Sequence, residues 1–198
     1  MTLKIIFIFS MLIFSILNAE EQPVPLPIIG TETIPLSKTV FKSLEKGGEK
    51  IVDLTGENFI VVSVREFGSD GRFYAVDRDG TVWWSSAITS GAEEYRTPSG
   101  IFTIFQKKRY HMSNLYPDEN GTNNMDYMMK FKDDGTALHS GDVDWLSHGC
   151  IHIDPKDVPV IYNWSNYETK VVVTRHTYMP FAKEDLDLIY NGKGVLKN

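Results

Sequence analysis

The sequence predicts a mostly β fold, a sandwich or barrel carrying one or two short helices. Three observations lead there. Short runs rich in β-branched and aromatic residues recur from residue 59 onward, turn-forming clusters separate them, and helical periodicity is confined to brief stretches. The chain has 198 residues, enough for one full core. Apolar residues make up 42% and charged residues 23%, a globular rather than a disordered composition. Lys and Arg number 20 against 26 Asp and Glu, and the net charge of -6 argues against broad, non-specific nucleic-acid binding.

Residues 1–19 (MTLKIIFIFSMLIFSILNA) read as a secretory signal. Lys4 supplies the positive start and Ile5 to Ile16 the apolar stretch, too short to span a membrane comfortably. Ala19 suits a cleavage site, although Leu17 two positions earlier is not small. An uncleaved anchor is the alternative. No cysteine follows the apolar run, so a lipid-modified N-terminus is excluded. The expectation is an exported protein of the periplasm or cell envelope, with no stable membrane span once the signal is removed. Residues 20–56 hold Pro23, Pro25, Pro27 and Pro35 and read as an arm or linker. Within it, residues 37–46 suggest a short helix capped by Ser37 and stopped by Gly47-Gly48.

The strands follow in order. FIVVSVREF (59–67) is rich in β-branched residues, and RFYAVD (72–77) follows a turn at Ser69-Asp70-Gly71. TVWWSSAIT (81–89) follows Arg78-Asp79-Gly80, and its alternation sends Trp83 and Trp84 to opposite faces. GIFTIFQK (100–107), MMKFK (128–132), TALHS (136–140), CIHI (150–153) and KVVVTRH (170–176) complete the series. Asp154-Pro155 reads as a helix start, with Val158, Ile161 and Tyr162 at helical spacing and Pro159 confined to the first turn. Residues 183–190 read as a terminal helix. The expected organisation is a signal over 1–19, an arm over 20–56, one domain over 57–178 and a tail with a short helix over 179–198. Residues 108–127 are polar and turn-rich, but their Tyr110, His111, Met112, Tyr116, Met125 and Tyr127 suggest a lid or binding wall. The run Lys107-Lys108-Arg109 reads as a solvated face.

Chemistry concentrates in Leu138-His139-Ser140-Gly141 and Ser147-His148-Gly149-Cys150-Ile151-His152-Ile153. Thiol catalysis needs a thiolate, a base, a group that holds the base, and donors for an oxyanion. Cys150 is the only cysteine, His139 and His148 are candidate bases, and Gly149 permits a turn that aims successive N–H groups at one point. A zinc site is the rival by residue type, because positions 148, 150 and 152 share a face of a regular strand. Gly149 and the spacing count against it.

Ser147-His148-Gly149-Cys150 with the upstream His139-Ser140-Gly141 resembles the signature of the L,D-transpeptidase catalytic domain family, the YkuD type. Thr97-Pro98-Ser99-Gly100-Ile101-Phe102 resembles that family's TPxGxF strand entry, and Asn123 to Met128 its substrate-side segment. The resemblance implies the family's β fold. It implies Cys150 as nucleophile, His139 as general base and the Ser140 backbone carbonyl as the group that orients it. His148, Gly149 and Cys150 would lend backbone N–H groups to an oxyanion hole, and Met125, Tyr127, Ser147 and His152 would line the substrate site. The implied reaction is attack on the diamino acid of a peptidoglycan stem peptide, loss of a terminal D-alanine, and a thioester. A second stem would resolve it to a 3-3 crosslink, water to a trimmed stem as in an L,D-carboxypeptidase, or a wall-attached protein amine to a conjugate. No metal or organic cofactor is implied, and the partners are stem peptides rather than nucleic acid. A non-catalytic wall-binding module is the competing class. Two departures bear on the acceptor: His152 stands where the family usually has Arg or Asn, and only seven residues separate His139 from Ser147. Tyr127 reads equally as pocket wall and as core, and His111 and His176 as surface or packing residues.

Overall fold

The structure is a computed structural model that describes residues 31–193 apart from 46, 65–70 and 116–122. The signal reading of 1–19, the turn at 69–70 and Tyr116 lie outside the described residues. Strands β1 (Glu32–Pro35), β2 (Val40–Glu45) and β3 (Gly48–Asp53) form an antiparallel sheet in that order. This replaces the helix expected over 37–46. The capping signal is used: Ser37 Oγ accepts the Thr39 and Val40 N–H groups at 3.3 and 3.0 Å. It closes a turn rather than a helix, because Phe41 and Ser43 are buried in alternation. Phe41 packs edge-on to Phe59 and stacks on Tyr178, contacts that only an extended segment provides.

The remaining strands are β4 (Phe59–Ser63), β5 (Arg72–Val76), β6 (Val82–Thr89), β7 (Gly100–Thr103), β8 (Gln106–Lys108), β9 (Met128–Lys130), β10 (Ala137–Ser140), β11 (Ile151–Ile153) and β12 (Lys170–Thr174). They form one nine-stranded sheet in the order β7-β12-β4-β5-β6-β11-β10-β9-β8. Its two edge strands, β7 and β8, are separated in the chain by Ile104 and Phe105 alone. The sheet therefore curls until its edges meet, as in a barrel. Ile104 N–H bonds Thr169 O on one side and Phe105 N–H bonds Lys130 O on the other. The single strand expected over 100–107 is thus two, broken where the chain crosses from edge to edge and buries Ile104.

Both faces of the curled sheet are covered, which explains the continuous apolar run of β4. Ile60 and Val62 face an interior with Phe73, Ile88, Leu138, Ile151 and Ile153. Phe59 and Val61 face Tyr74 and Val172 under Phe41, Tyr178, Ala182 and Leu186. Each such fully buried side chain contributes roughly 1.5–3 kcal/mol before entropy is counted. Tyr178 immediately precedes helix α2 (Met179–Lys193), which begins before the expected residue 183 and supplies Ala182 and Leu186. Helix α1 (Val158–Trp164) begins later than expected, with Asp157 at its N-cap. Asp154 instead closes a preceding turn, its carbonyl accepting the Asp157 and Val158 N–H groups. Pro159 sits in the first turn, where its missing donor costs nothing.

Trp83 and Trp84 do not separate to opposite faces. Ala75 pairs with Trp84 but Val76 pairs with Val82, so Trp83 is the extra residue of a bulge. Both indoles pack on the interior cluster, with ring centroids 5.8 Å apart. Among the described residues no helix is long and apolar enough to cross a membrane.

Candidate active site

The site follows from hydrophobic alternation on two adjacent parallel strands. β10 and β11 pair as Leu138 with Ile151, His139 with His152 and Ser140 with Ile153. Leu138, Ile151 and Ile153 are fully buried in the core. Strand periodicity then turns His139 and His152 to the opposite face. One residue before β11, the same alternation puts Cys150 on that face.

His139 is 5% exposed. Its Nδ1 donates to the Ser140 carbonyl at 2.7 Å, which leaves the lone pair on Nε2. Burial pushes its pKa down to about 4, helped by the neighbouring His152 and His111 and opposed by the Ser140 bond. Burial likewise pushes the Cys150 thiol up; the Asp134 carboxylate adds to this and a backbone bond at Ala137 opposes it. Low polarity disfavours both charged forms, so the resting pair is neutral thiol and neutral imidazole. The thiol points to the Gly135 carbonyl, with Sγ 3.9 Å from its oxygen, and makes no hydrogen bond to His139.

The turn before Cys150 is held from several directions. Ser147 is buried; its N–H bonds Ser90 O and its carbonyl accepts the Ala92 N–H. Its hydroxyl donates to Cys150 O at 2.6 Å and accepts the Gly149 N–H at 3.0 Å. Two expectations change as a result. The Ser147 side chain is engaged within the turn rather than presented to a substrate, and the Gly149 N–H is occupied rather than directed to an oxyanion. Gly149 has φ +111°, where a side chain is strained. Its carbonyl accepts from Thr97 Oγ1 at 2.9 Å, and the same hydroxyl accepts the Gly91 N–H at 2.9 Å. Thr97 and Gly91 therefore carry the geometry of the cysteine turn. Sequence reasoning placed Thr97 only in a strand entry and missed Gly91; no local pattern signals a contact made 58 residues away in the chain. His148 is exposed, with its ring 4.7 Å from that of Tyr95.

The segment before β9 forms another side of the site. Met125 N–H bonds His111 O, and the Asp126 carbonyl accepts the Ser140 N–H beside His139. Met125 is half-buried. Tyr127 has φ +58°; the Arg109 guanidinium lies 3.5 Å from its ring centroid, and Tyr162 meets it edge-on with centroids 5.5 Å apart. Tyr127 is half-buried and packs on the interior cluster. His152 Nδ1 donates to the Asp142 carbonyl at 2.9 Å, and its ring centroid is 5.0 Å from that of His139. Lys107 is not part of a merely solvated face. Its Nζ donates to the Tyr162 and Ser165 carbonyls at the end of α1, where the helix dipole favours a cation. His176 pairs with Glu32 and joins β1 to the chain after β12. Among the described residues no three His, Cys, Asp or Glu side chains converge to hold a metal ion.

The family model of the L,D-transpeptidase catalytic domain, YkuD, matches residues 57–173. Among solved structures, an L,D-transpeptidase from Stackebrandtia nassauensis aligns at 22% identity and a TM-score of 0.48, covering 58% of this chain and 55% of that one. A mutant L,D-transpeptidase from Enterococcus faecium aligns at 22% identity and 0.49, covering 59% and 49%. The L,D-transpeptidase from Mycobacterium smegmatis aligns at 16% identity and 0.47, covering 70% and 68%. The chain thus spans about half the length of the first two. No curated protein matches it.

Proposed function

The chain belongs to the L,D-transpeptidase catalytic domain family, and on that premise we propose that it is an exported cysteine acyltransferase that forms 3-3 crosslinks between peptidoglycan stem peptides. One observation carries the reading: Cys150 and His139 share a face of β10 and β11, and the Ser140 carbonyl holds the imidazole with its Nε2 lone pair available. In this mechanism rotation about the Cys150 Cα–Cβ bond moves Sγ from the Gly135 carbonyl to Nε2. The thiol proton passes to His139 as sulfur attacks the carbonyl of the stem's diamino acid. His139 returns that proton to the departing D-alanine nitrogen, leaving a thioester. Because burial opposes charge on both partners, the thiolate forms with the attack rather than beforehand. The His148 and Cys150 N–H groups are assigned to the developing oxyanion, the Gly149 N–H being held by Ser147.

The test is intact-mass spectrometry of the protein incubated with a stem tetrapeptide or a carbapenem. One covalent adduct is expected in wild type and none in Cys150→Ala. The absence of any wild-type adduct, or an adduct that persists in Cys150→Ala, refutes the reading. Muropeptide analysis then identifies the acceptor: dimers joined through two diamino acids are expected, whereas tripeptides alone mean an L,D-carboxypeptidase.

A further inference from the structure

We propose that Lys130, assisted by Lys108, binds the free terminal carboxylate of the donor stem peptide and so selects stems whose last residue is unblocked. The inference rests on the acyltransfer reading and names the donor its site accepts. It begins with strand register. Leu138 pairs with Ile151 on β11 and with Met129 on β9, and all three side chains are buried in the interior cluster. The neighbouring positions therefore turn to the catalytic face. Cys150, Ala137 and Lys130 form one row across the sheet, and His152, His139 and Met128 the next. Met128 and Ala137 are buried yet belong to neither core cluster, as that placement requires. On β8, Lys107 pairs with Met129 and Lys108 with Met128, so Lys108 continues the His139 row.

The basic run 107–109 is thus divided among three places. Lys107 binds the carbonyls at the end of α1, Arg109 lies over Tyr127, and Lys108 alone reaches the catalytic face. Lys130 stands two strand spacings from Cys150, about 10 Å. Cys150 Sγ points to Gly135, in the turn that joins β9 to β10 just beyond Lys130. A peptide chain spans about 3.5 Å per residue. The carboxylate of a terminal D-alanine whose amide is attacked by Sγ therefore lies within the gap that a lysine side chain closes. Among the described residues neither ammonium has a carboxylate within ion-pair distance. The carboxylates nearby are committed: Asp134 pairs with Lys132 and accepts from Thr136, and Asp126 accepts the His111 N–H. Burial holds the His111 pKa below its ordinary value, and the Lys108 and Lys130 charges add to this against Asp126. Both cations thus act on the space around His111. Lys130 is half-buried and Lys108 exposed, so water screens Lys130 less and makes it the stronger contact. A half-buried ammonium with three donors is matched by a ligand that brings its own anion.

The test compares two donors: the stem tetrapeptide and the same peptide with its C-terminus amidated. Time-resolved intact-mass spectrometry gives the rate at which each acylates Cys150. Comparing the ratio of the two rates between proteins cancels the difference between the leaving groups. In Lys130→Gln the half-saturating concentration of the free acid should rise about tenfold, the scale of one charge-assisted hydrogen bond, with the limiting rate within about threefold. The preference for the free acid over the amide should fall by the same factor. Lys130→Arg keeps the charge and should hold that preference within about threefold of wild type. Lys108→Gln should lower it about two- to threefold, the scale of an exposed ion pair. An unchanged preference in Lys130→Gln, or equal slowing with both peptides, overturns the assignment. Should Lys130→Gln not fold, salt dependence in the wild type decides: added salt must slow the free acid more than the amide, and parallel profiles overturn it. A wild-type protein that forms no adduct with either peptide or with a carbapenem refutes the parent reading instead.

Discussion

Gly91→Ala would place a Cβ 1.9 Å from the Tyr95 carbonyl oxygen, 2.9 Å from Gly149 Cα and 3.0 Å from the Gly149 nitrogen. All three are backbone atoms, so no side-chain rotation relieves the clash. Restoring ordinary contact with the Tyr95 oxygen, at 3.4 Å or more, requires a movement of about 1.5 Å. The short 3₁₀ turn Glu93–Tyr95 and the cysteine turn must separate, although Thr97 ties Gly91 to Gly149. Overpacking of this kind costs about 1–3 kcal/mol. At roughly 2–4 °C per kcal/mol for a chain of this size, the melting temperature should fall by about 2–12 °C. A displacement near 1 Å at a reacting group costs about 100-fold in rate, so carbapenem acylation of Cys150 should slow by that order. The assay is time-resolved intact-mass spectrometry alongside a thermal melt. Gly47→Ala is the control, because nothing lies within 4 Å of its Cβ. Acylation of Gly91→Ala within threefold of wild type, with an unchanged melting temperature, would refute the claim that close backbone approach aims the cysteine turn.

Two further outcomes are expected. The pKa of His139 lies at about 4 in the fold against 6.5 ordinarily, so the unfolded chain takes up a proton first as pH falls. The neutral burial of this ring therefore contributes fully above pH 6.5 and is lost toward pH 4, about 3 kcal/mol in total. Urea unfolding across that window should show a steeper loss for wild type than for His139→Asn; parallel curves would contradict the assignment. Thr97→Val leaves the Gly91 N–H and the Gly149 carbonyl without their shared partner, at about 1–3 kcal/mol for each buried group. It should lower both the melting temperature and the acylation rate. Ser99→Ala, which loses a bond to Val173 on β12, should lower only the melting temperature.

The strands from β4 onward were legible because their cause is local. Alternating burial in β10 and β11 writes itself as Leu138, Ile151 and Ile153, and the same alternation commits His139 and His152 to the other face. The curl of the sheet was not legible. The run 100–107 looks like one strand, and only the arrival of β12 at one edge and β9 at the other divides it. Residues 37–46 carry a true capping signal at Ser37, but the deciding contacts of Phe41 are with Phe59 and Tyr178, far along the chain.

The sequence by itself determined which residues are candidates for the chemistry and that their setting is a β-sheet, since residue type and two-residue periodicity are local properties. Tertiary structure alone decided how those groups are used. It engaged the Ser147 hydroxyl and the Gly149 N–H within one turn, and it recruited Gly91 and Thr97 to brace that turn. It also kept the thiol and imidazole neutral by burying both. The physical reason is that hydrogen-bond partners and desolvation depend on which distant segments meet, and no window of sequence contains both sides of such a contact.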